Sequence, residues 1–347
     1  MPYQFRNLVF EGGGVKGIAY IGAMKVIEDK GILENVLRVG GTSAGAINAA
    51  LVALGFTNEE QRGILQKLDF NDFTDSDWGI IRNSIRLLGQ FGWHKGDFFR
   101  AWIGQYIKEK LGKTDATFED LEKAKKPKLY VYGTNLNTHY GQVFSIEHSP
   151  TMPIIDAIRI SMSIPLFFKA VRYEHDDLFV DGGVLYNYPI KLFDREKYIS
   201  QDKTNMAAKR PYYEKENEQF LKNHPESSPY VYNKETLGLR LDSKQEIAVF
   251  RYGTDLNRQR ISSFSDYVKS LASTIMESQG NTHLHSDDWH RSIYIDTLGV
   301  STIQFDLSNV KKKELEDSGK AGAEKYFDWY DNWSIQGKEK PFNLPES

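Results

Sequence analysis

The stretch Val39-Gly40-Gly41-Thr42-Ser43-Ala44-Gly45-Ala46-Ile47 decides the reading of this chain. It contains Gly41-x-Ser43-x-Gly45, the pattern in which a serine sits on a sharp strand-to-helix turn with its hydroxyl pushed into the open. Glycines on either side remove the Cβ atoms that would clash at so tight a corner. Glycine and serine are common, so the pattern alone also arises by chance. Its surroundings favour the chemical reading: Leu37-Arg38-Val39 reads as a strand end, and Ala44 to Leu54 is small and apolar, as a buried helix would be. Ser43 is therefore a candidate nucleophile.

Upstream, Asn7-Leu8-Val9-Phe10 is a short apolar run ending in Glu11-Gly12-Gly13-Gly14-Val15-Lys16-Gly17, after which Ile18, Ile21, Val26 and Ile27 recur at helical spacing. Strand, glycine loop and helix follow one another. Consecutive glycines let backbone N–H groups converge in front of a helix N-terminus, where the peptide dipoles favour negative charge. Gly12-x-Gly14-x-x-Gly17 also satisfies the dinucleotide fingerprint, so a non-catalytic nucleotide- or phosphate-binding protein is a rival reading. A second glycine turn carrying a serine is unexplained by that rival and expected if the loop is an oxyanion hole.

Composition narrows the classes. The chain has 347 residues, 40% hydrophobic and 26% charged, enough for one large domain with a sizeable core. A formal charge of −3 gives no electrostatic footprint for nucleic acid. Without cysteine there is no disulfide, thiolate metal site or cysteine nucleophile. The N-terminus lacks a signal-peptide layout and no apolar run approaches the ~20 residues of a spanning helix. A cytoplasmic protein, or one secreted without a cleaved N-terminal signal, is expected.

Further along, Thr57 and Thr117 each open a helix, Leu129 to Leu136 reads as a buried strand with Gly141 to Ser145 as its hairpin partner, and Pro153 starts a helix that Pro165 stops. Ile81, Ile85 and Leu88 share a helical face opposite Arg82 and Arg86, with Trp93, Phe98, Phe99 and Trp102 nearby. That stripe reads as core packing first and as a membrane-surface helix second. Leu178-Phe179-Val180 runs into Asp181-Gly182-Gly183, an acid at a strand end on a turn of minimal bulk. Residues 196–234 are polar and proline-punctuated, an irregular insertion or lid between core segments of about 5–195 and 235–330 in a single domain over 1–347. Thr236 to Asp242, Ser292 to Asp296 and Thr302 to Asp306 read as strands, Phe264 to Met276 as a helix, and Ser308 as the cap of a final charged helix.

With the three glycine turns in place, the chain resembles the patatin-like phospholipase family, bacterial type. The resemblance rests on Gly12-Gly13-Gly14-Val15-Lys16-Gly17, Gly41-Thr42-Ser43-Ala44-Gly45 and Asp181-Gly182-Gly183 in the family's order, with Ser161-Met162-Ser163-Ile164-Pro165 and Thr236-Leu237-Gly238-Leu239-Arg240 as secondary likenesses. It implies an α/β fold, a three-layer α/β/α arrangement with a central mostly parallel sheet and the nucleophile on a strand-turn-helix elbow. It also implies a carboxylic ester hydrolase: Ser43 as nucleophile, Asp181 as the base taking its proton, the amides of Gly12, Gly13 and Gly14 as oxyanion hole, and no catalytic histidine. Lys16, Gly17, Gly41, Gly45, Gly182 and Gly183 are the supporting residues.

The substrate so implied is a membrane glycerophospholipid cleaved at a fatty-acyl ester, with peripheral membrane contact, and a partner-gated lipid effector is a further alternative whose activating protein or small molecule is unknown. Two competitors come from the histidines. A Ser-Asp-His triad would draw on His224, His283, His285 or His290. A metal site would draw on His283, His285, Asp287, Asp288 and His290, a cluster that reads as a solvated loop instead. No loop has EF-hand spacing, so calcium is not implied, and neither a metal nor a cofactor is expected.

Overall fold

One mixed sheet carries the computed structural model, which describes residues 3–68, 92–94, 97–199, 206–243 and 287–335, with short pieces between 260 and 275. Its strands are β1 (Asn7–Phe10), β2 (Arg38–Gly41), β3 (Lys128–Asn135), β4 (Tyr140–Ser145), β5 (Val171–Tyr173), β6 (Asp177–Asp181), β7 (Thr236–Asp242) and β8 (Ser292–Asp296). Across the sheet the order is β8-β7-β1-β2-β3-β6-β5, and β4 pairs with β3. The strands from β8 to β3 run parallel. The remaining pairs are antiparallel.

Alternation along each strand sends its residues to two different layers. Leu8, Phe10, Val39, Leu129, Val131, Leu239 and Ile293 face one way and join the main core. That face is covered by helices α1 (Tyr20–Asp29), α2 (Ala44–Leu54), α3 (Asn58–Gln66), α4 (Asp97–Leu111), α5 (Phe118–Lys123) and α6 (Ile154–Ser161), closed by the long last helix. Val9 and Tyr130 face the other way, onto Phe193 and Tyr198. There the cover is α7 (Gly183–Tyr186) and the short helical turns Ile190–Phe193 and Glu196–Tyr198. The central, mostly parallel sheet is thus flanked by helices.

Local chemistry explains the helix ends. Thr57 caps α3 in a capping box with Glu60, and Thr117 does the same for α5 with Asp120. Gly55 ends α2 in the left-handed region at φ 81°, its amide reaching back to the carbonyls of Leu51 and Val52. Every residue of α2 is buried, which its run of alanine and glycine makes sterically possible against the sheet.

The stretch read as an irregular insertion contains α8 (Pro211–Asn223), started by proline at its first turn, and a two-residue antiparallel pair, Ala207–Ala208 with Tyr232–Asn233. Only Tyr213 of α8 is buried, so no apolar stripe marks the helix in the sequence. The last helix, α9 (Asn309–Ile335), begins where expected, with Ser308 Oγ accepting the Lys311 amide at 3.2 Å. Thr302 to Asp306 is not a strand. This segment turns back over the glycine loop instead, Thr302 O accepting the Val15 amide at 3.2 Å.

The stripe through Ile81, Ile85 and Leu88 lies outside the described residues, as do Phe264, Ser265, Val268, Lys269, Ala272 and Met276; the described residues of the expected 264–276 helix are helical. Of the aromatics grouped with that stripe, Phe99 and Trp102 are buried, their rings 5.8 Å apart.

Candidate active site

The site is built by two strands meeting on one edge of β3. β4 pairs along the other edge, from Tyr130↔Ser145 to Asn135↔Tyr140. On the shared edge β2 pairs in parallel as far as Gly41↔Val131, and β6 pairs antiparallel beginning at Gly133↔Asp181. The two strands therefore run toward one another and stop two residues apart on β3, about 7 Å. Ser43 leaves the end of one and Asp181 is the end of the other.

Ser43 holds φ 54° and ψ −128°, a left-handed conformation that costs a non-glycine residue about 1–3 kcal/mol. The corner is possible because α2 enters against the end of β1: a Cβ on Gly45 would stand 2.5 Å from the carbonyl oxygens of both Phe10 and Glu11. The strain is held from outside the elbow as well, the Ser43 amide donating to Ser161 Oγ at 2.9 Å.

Asp181 is fully buried, with Oδ1 accepting the Gly183 amide at 2.7 Å. Burial pushes its carboxyl up to about 7 from an ordinary 3.8, and the Gly183 amide and Ser43 hydroxyl pull it part of the way back. The hydroxyl is near enough to act on the carboxyl without being aligned in a hydrogen bond with it. Ser43 Oγ points to Met162 Sδ at 3.8 Å, and Asp181 Oδ2 has no hydrogen-bond partner among the described residues.

The glycine loop divides its amides. Gly12 N–H is committed to Asn187 O at 2.9 Å, which removes it from the set available to a ligand. The amides of Gly13, Gly14 and Ala44 donate to no acceptor among the described residues. Gly14 is held at φ +54°, and a Cβ there would stand 2.0 Å from Thr302 O, so the loop tolerates no side chain at that point. Lys16 is buried beside the loop, its amide closing a turn onto Gly13 O at 3.1 Å. Glu11 sits beneath, accepting the Leu241 amide at 2.7 Å, and burial holds its carboxyl well above the usual carboxylate range.

The model of the patatin-like phospholipase family matches residues 8–194, the segment that contains all three glycine turns. The chain belongs to the patatin-like phospholipase family. Protein R571 of Acanthamoeba polyphaga mimivirus is 30% identical over 322 residues, 91% of each chain. The probable lipid hydrolase 463L of Invertebrate iridescent virus 6 is 26% identical over 191 residues, 55% of this chain and 64% of the relative. Among solved structures, VipD from Legionella pneumophila superposes with a TM-score of 0.58 at 16% identity, covering 94% of this chain and 67% of that one, a likeness of fold. Family membership supports hydrolysis of lipids as the chemistry of this patatin-like chain.

The histidine readings fare differently. His224 is exposed at the end of α8 against Phe220, and His290 stacks on Trp329 with ring centres 5.8 Å apart. His283 and His285 lie outside the described residues. Asp287 forms a half-buried pair with Arg210 at 2.9 Å, and the fully buried Asp288 pairs with Arg291 at 2.6 Å, so Asp288 belongs to an ion-paired interior and not to a solvated loop. No group of three His, Cys, Asp or Glu residues among those described could hold a metal ion. No described helix is long and apolar enough to cross a membrane.

Several contributors were not legible as such. Asn187 clamps the loop through its carbonyl and through Nδ2 to Gly12 O at 3.1 Å, and Thr302 buttresses it by a backbone oxygen. Neither carries a motif. Ser161 stood inside a quoted likeness without a role. A cleft of about 860 Å³ lies away from all of these, between α8 and the Pro229–Val231 segment.

Proposed function

We propose that this chain is a serine lipid acyl hydrolase that cleaves fatty-acyl esters of membrane glycerophospholipids through an acyl-Ser43 intermediate, with Asp181 as the proton acceptor. The observation that carries it is the head-on arrangement of β2 and β6, which brings a strained serine to a buried carboxyl that burial has made basic. An ordinary carboxylate is a poor base for an alcohol, and a carboxyl titrating near 7 is matched to neutral pH.

In the acylation half, Ser43 Oγ attacks the ester carbonyl and its proton passes to Asp181 Oδ2. The tetrahedral oxyanion is met by the amides of Gly13, Gly14 and Ala44, the last at the N-terminus of α2, each such donor being worth on the order of 10²–10³ in rate. Collapse expels the lysophospholipid alkoxide, which takes the proton from Asp181. Water then attacks the acyl-enzyme carbonyl and gives a proton to Asp181, and collapse breaks the bond to Ser43 Oγ, which takes that proton back as the fatty acid is released. Gly12 serves this scheme by fixing the loop through Asn187 and not as a donor. The whole chain forms one catalytic domain, with the segment carrying α8 as an insertion.

The test is covalent capture. A fluorophosphonate probe should label wild-type protein at Ser43, and Ser43→Ala should lose both labelling and hydrolysis of phosphatidylcholine and p-nitrophenyl butyrate while keeping its circular dichroism. Full activity in Ser43→Ala would sink the assignment.

A further inference from the structure

The C-terminal turn of α6 touches both members of the proposed dyad. Ser161 Oγ accepts the Ser43 amide at 2.9 Å, and two residues on, Ser163 O accepts the Asp181 amide at 2.8 Å. Both serines are fully buried. The second contact is braced from within the helix: Arg159 Nη1 donates to Ser163 Oγ at 2.6 Å, Ser163 Oγ donates to Arg159 O at 2.8 Å, and Arg159 Nη2 donates to Lys169 O at 3.0 Å. Met162, between the serines, is the residue whose sulfur faces Ser43 Oγ.

We infer that Ser161 is a positioning residue which, with the Ser163 carbonyl, makes the end of α6 a gauge for the Ser43–Asp181 separation. The inference rests on the hydrolase reading above. Its physical basis is that β2 and β6 are not bonded to one another: each is registered on β3, and neither register fixes the two loops that carry the reacting groups. A single rigid turn accepting an amide from each supplies that missing constraint. The Ser43 elbow needs it most, because its left-handed backbone relaxes toward ordinary values if nothing outside holds the amide. The same bond keeps the Ser43 N–H turned away from the oxyanion donors, leaving that role to Gly13, Gly14 and Ala44. Ser161 touches neither substrate nor the transferred proton.

The experiment compares Ser161→Ala and Ser161→Thr with wild type in the 347-residue chain. p-Nitrophenyl butyrate hydrolysis should show kcat in Ser161→Ala reduced on the order of 10–100-fold with KM unchanged, since a misplacement of about 1 Å costs rate and not affinity. Fluorophosphonate labelling should slow in parallel, and the acid limb of the pH profile should stay where it is. Ser161→Thr, which retains the oxygen, should recover most of the rate.

Independently of activity, hydrogen exchange of a peptide spanning residues 42–47 should quicken in the alanine variant and not in the threonine one. Wild-type kcat together with wild-type exchange in Ser161→Ala would overturn the inference. So would a rate loss shared by Ser161→Thr or tracked by a lowered melting temperature. A wild-type protein that neither hydrolyses the ester nor takes the probe would refute the hydrolase reading, while the exchange comparison would still decide whether Ser161 holds the elbow.

Discussion

Replacing Asp181 by asparagine should make this protein more stable and inactive, and the size of the gain follows from its burial. The carboxyl titrates near 7 in the fold and at 3.8 in the absence of its surroundings. Between those values the folded protein holds a proton that the unfolded chain has released, so stability falls as pH rises through the window and is flat above it. At ~1.4 kcal/mol per pH unit across roughly three units, the buried charge costs about 4 kcal/mol at alkaline pH. Asparagine keeps an oxygen to accept the Gly183 amide and removes the charge.

Urea denaturation at about pH 4.5 and about pH 8.5 should therefore show wild type losing stability between the two conditions by about 3 kcal/mol more than Asp181→Asn loses. Glu11, raised in the same direction by burial, adds a fall common to both proteins, and the difference between them isolates Asp181. In wild type, kcat/KM on a soluble ester should rise through pH 7 with unit slope, and Asp181→Asn should fall by about 10²–10⁴. A variant less stable than wild type at alkaline pH, or an activity limb near the ordinary carboxylate value, would refute the account of how this carboxyl becomes a base.

Other perturbations separate function from framework. Gly14→Ala should lose ester hydrolysis by on the order of 10² or more while the protein still folds, because the new Cβ meets Thr302 O and displaces the loop; circular dichroism and the ester assay check it. Arg291→Met should lower stability in urea by about 3–5 kcal/mol, since it strands the buried carboxylates of Asp194 and Asp288 together. Thr117→Ala should cost about 1 kcal/mol through loss of the capping box on α5 and leave kcat unchanged.

The parts legible in the sequence are those set by short-range chemistry. β1, the glycine loop, the elbow and α2 each depend on a few neighbouring residues, and the threonine caps depend on a partner three positions away. Thr302 shows the opposite case: an apolar-polar alternation over Thr302 to Asp306 satisfies a strand pattern, but periodicity carries no record of a distant partner, and here the Thr302 carbonyl is taken by the Val15 amide of the glycine loop. α8 was hidden because its stability comes from a proline start and from Tyr213 reaching Asp194 across the insertion, not from an apolar stripe.

The dyad lies between these cases. Ser43 and Asp181 each announce themselves by a glycine turn, yet nothing local says that the two turns face one another. That comes from β3, whose length lets one edge take β2 for its first half and β6 for its second. A strand only as long as β2 would have been filled by β2 alone, and Asp181 would have had no place beside the elbow. The residues that make the meeting possible are thus Val131 and Gly133, which carry no chemistry of their own. The Ile160 side chain and the Phe144 ring crowd the Cβ position of Gly133, so a side chain there would press on α6 as well as on the β3–β4 hairpin. Gly133 couples the register that brings Ser43 and Asp181 together to the helix whose end holds both their amides.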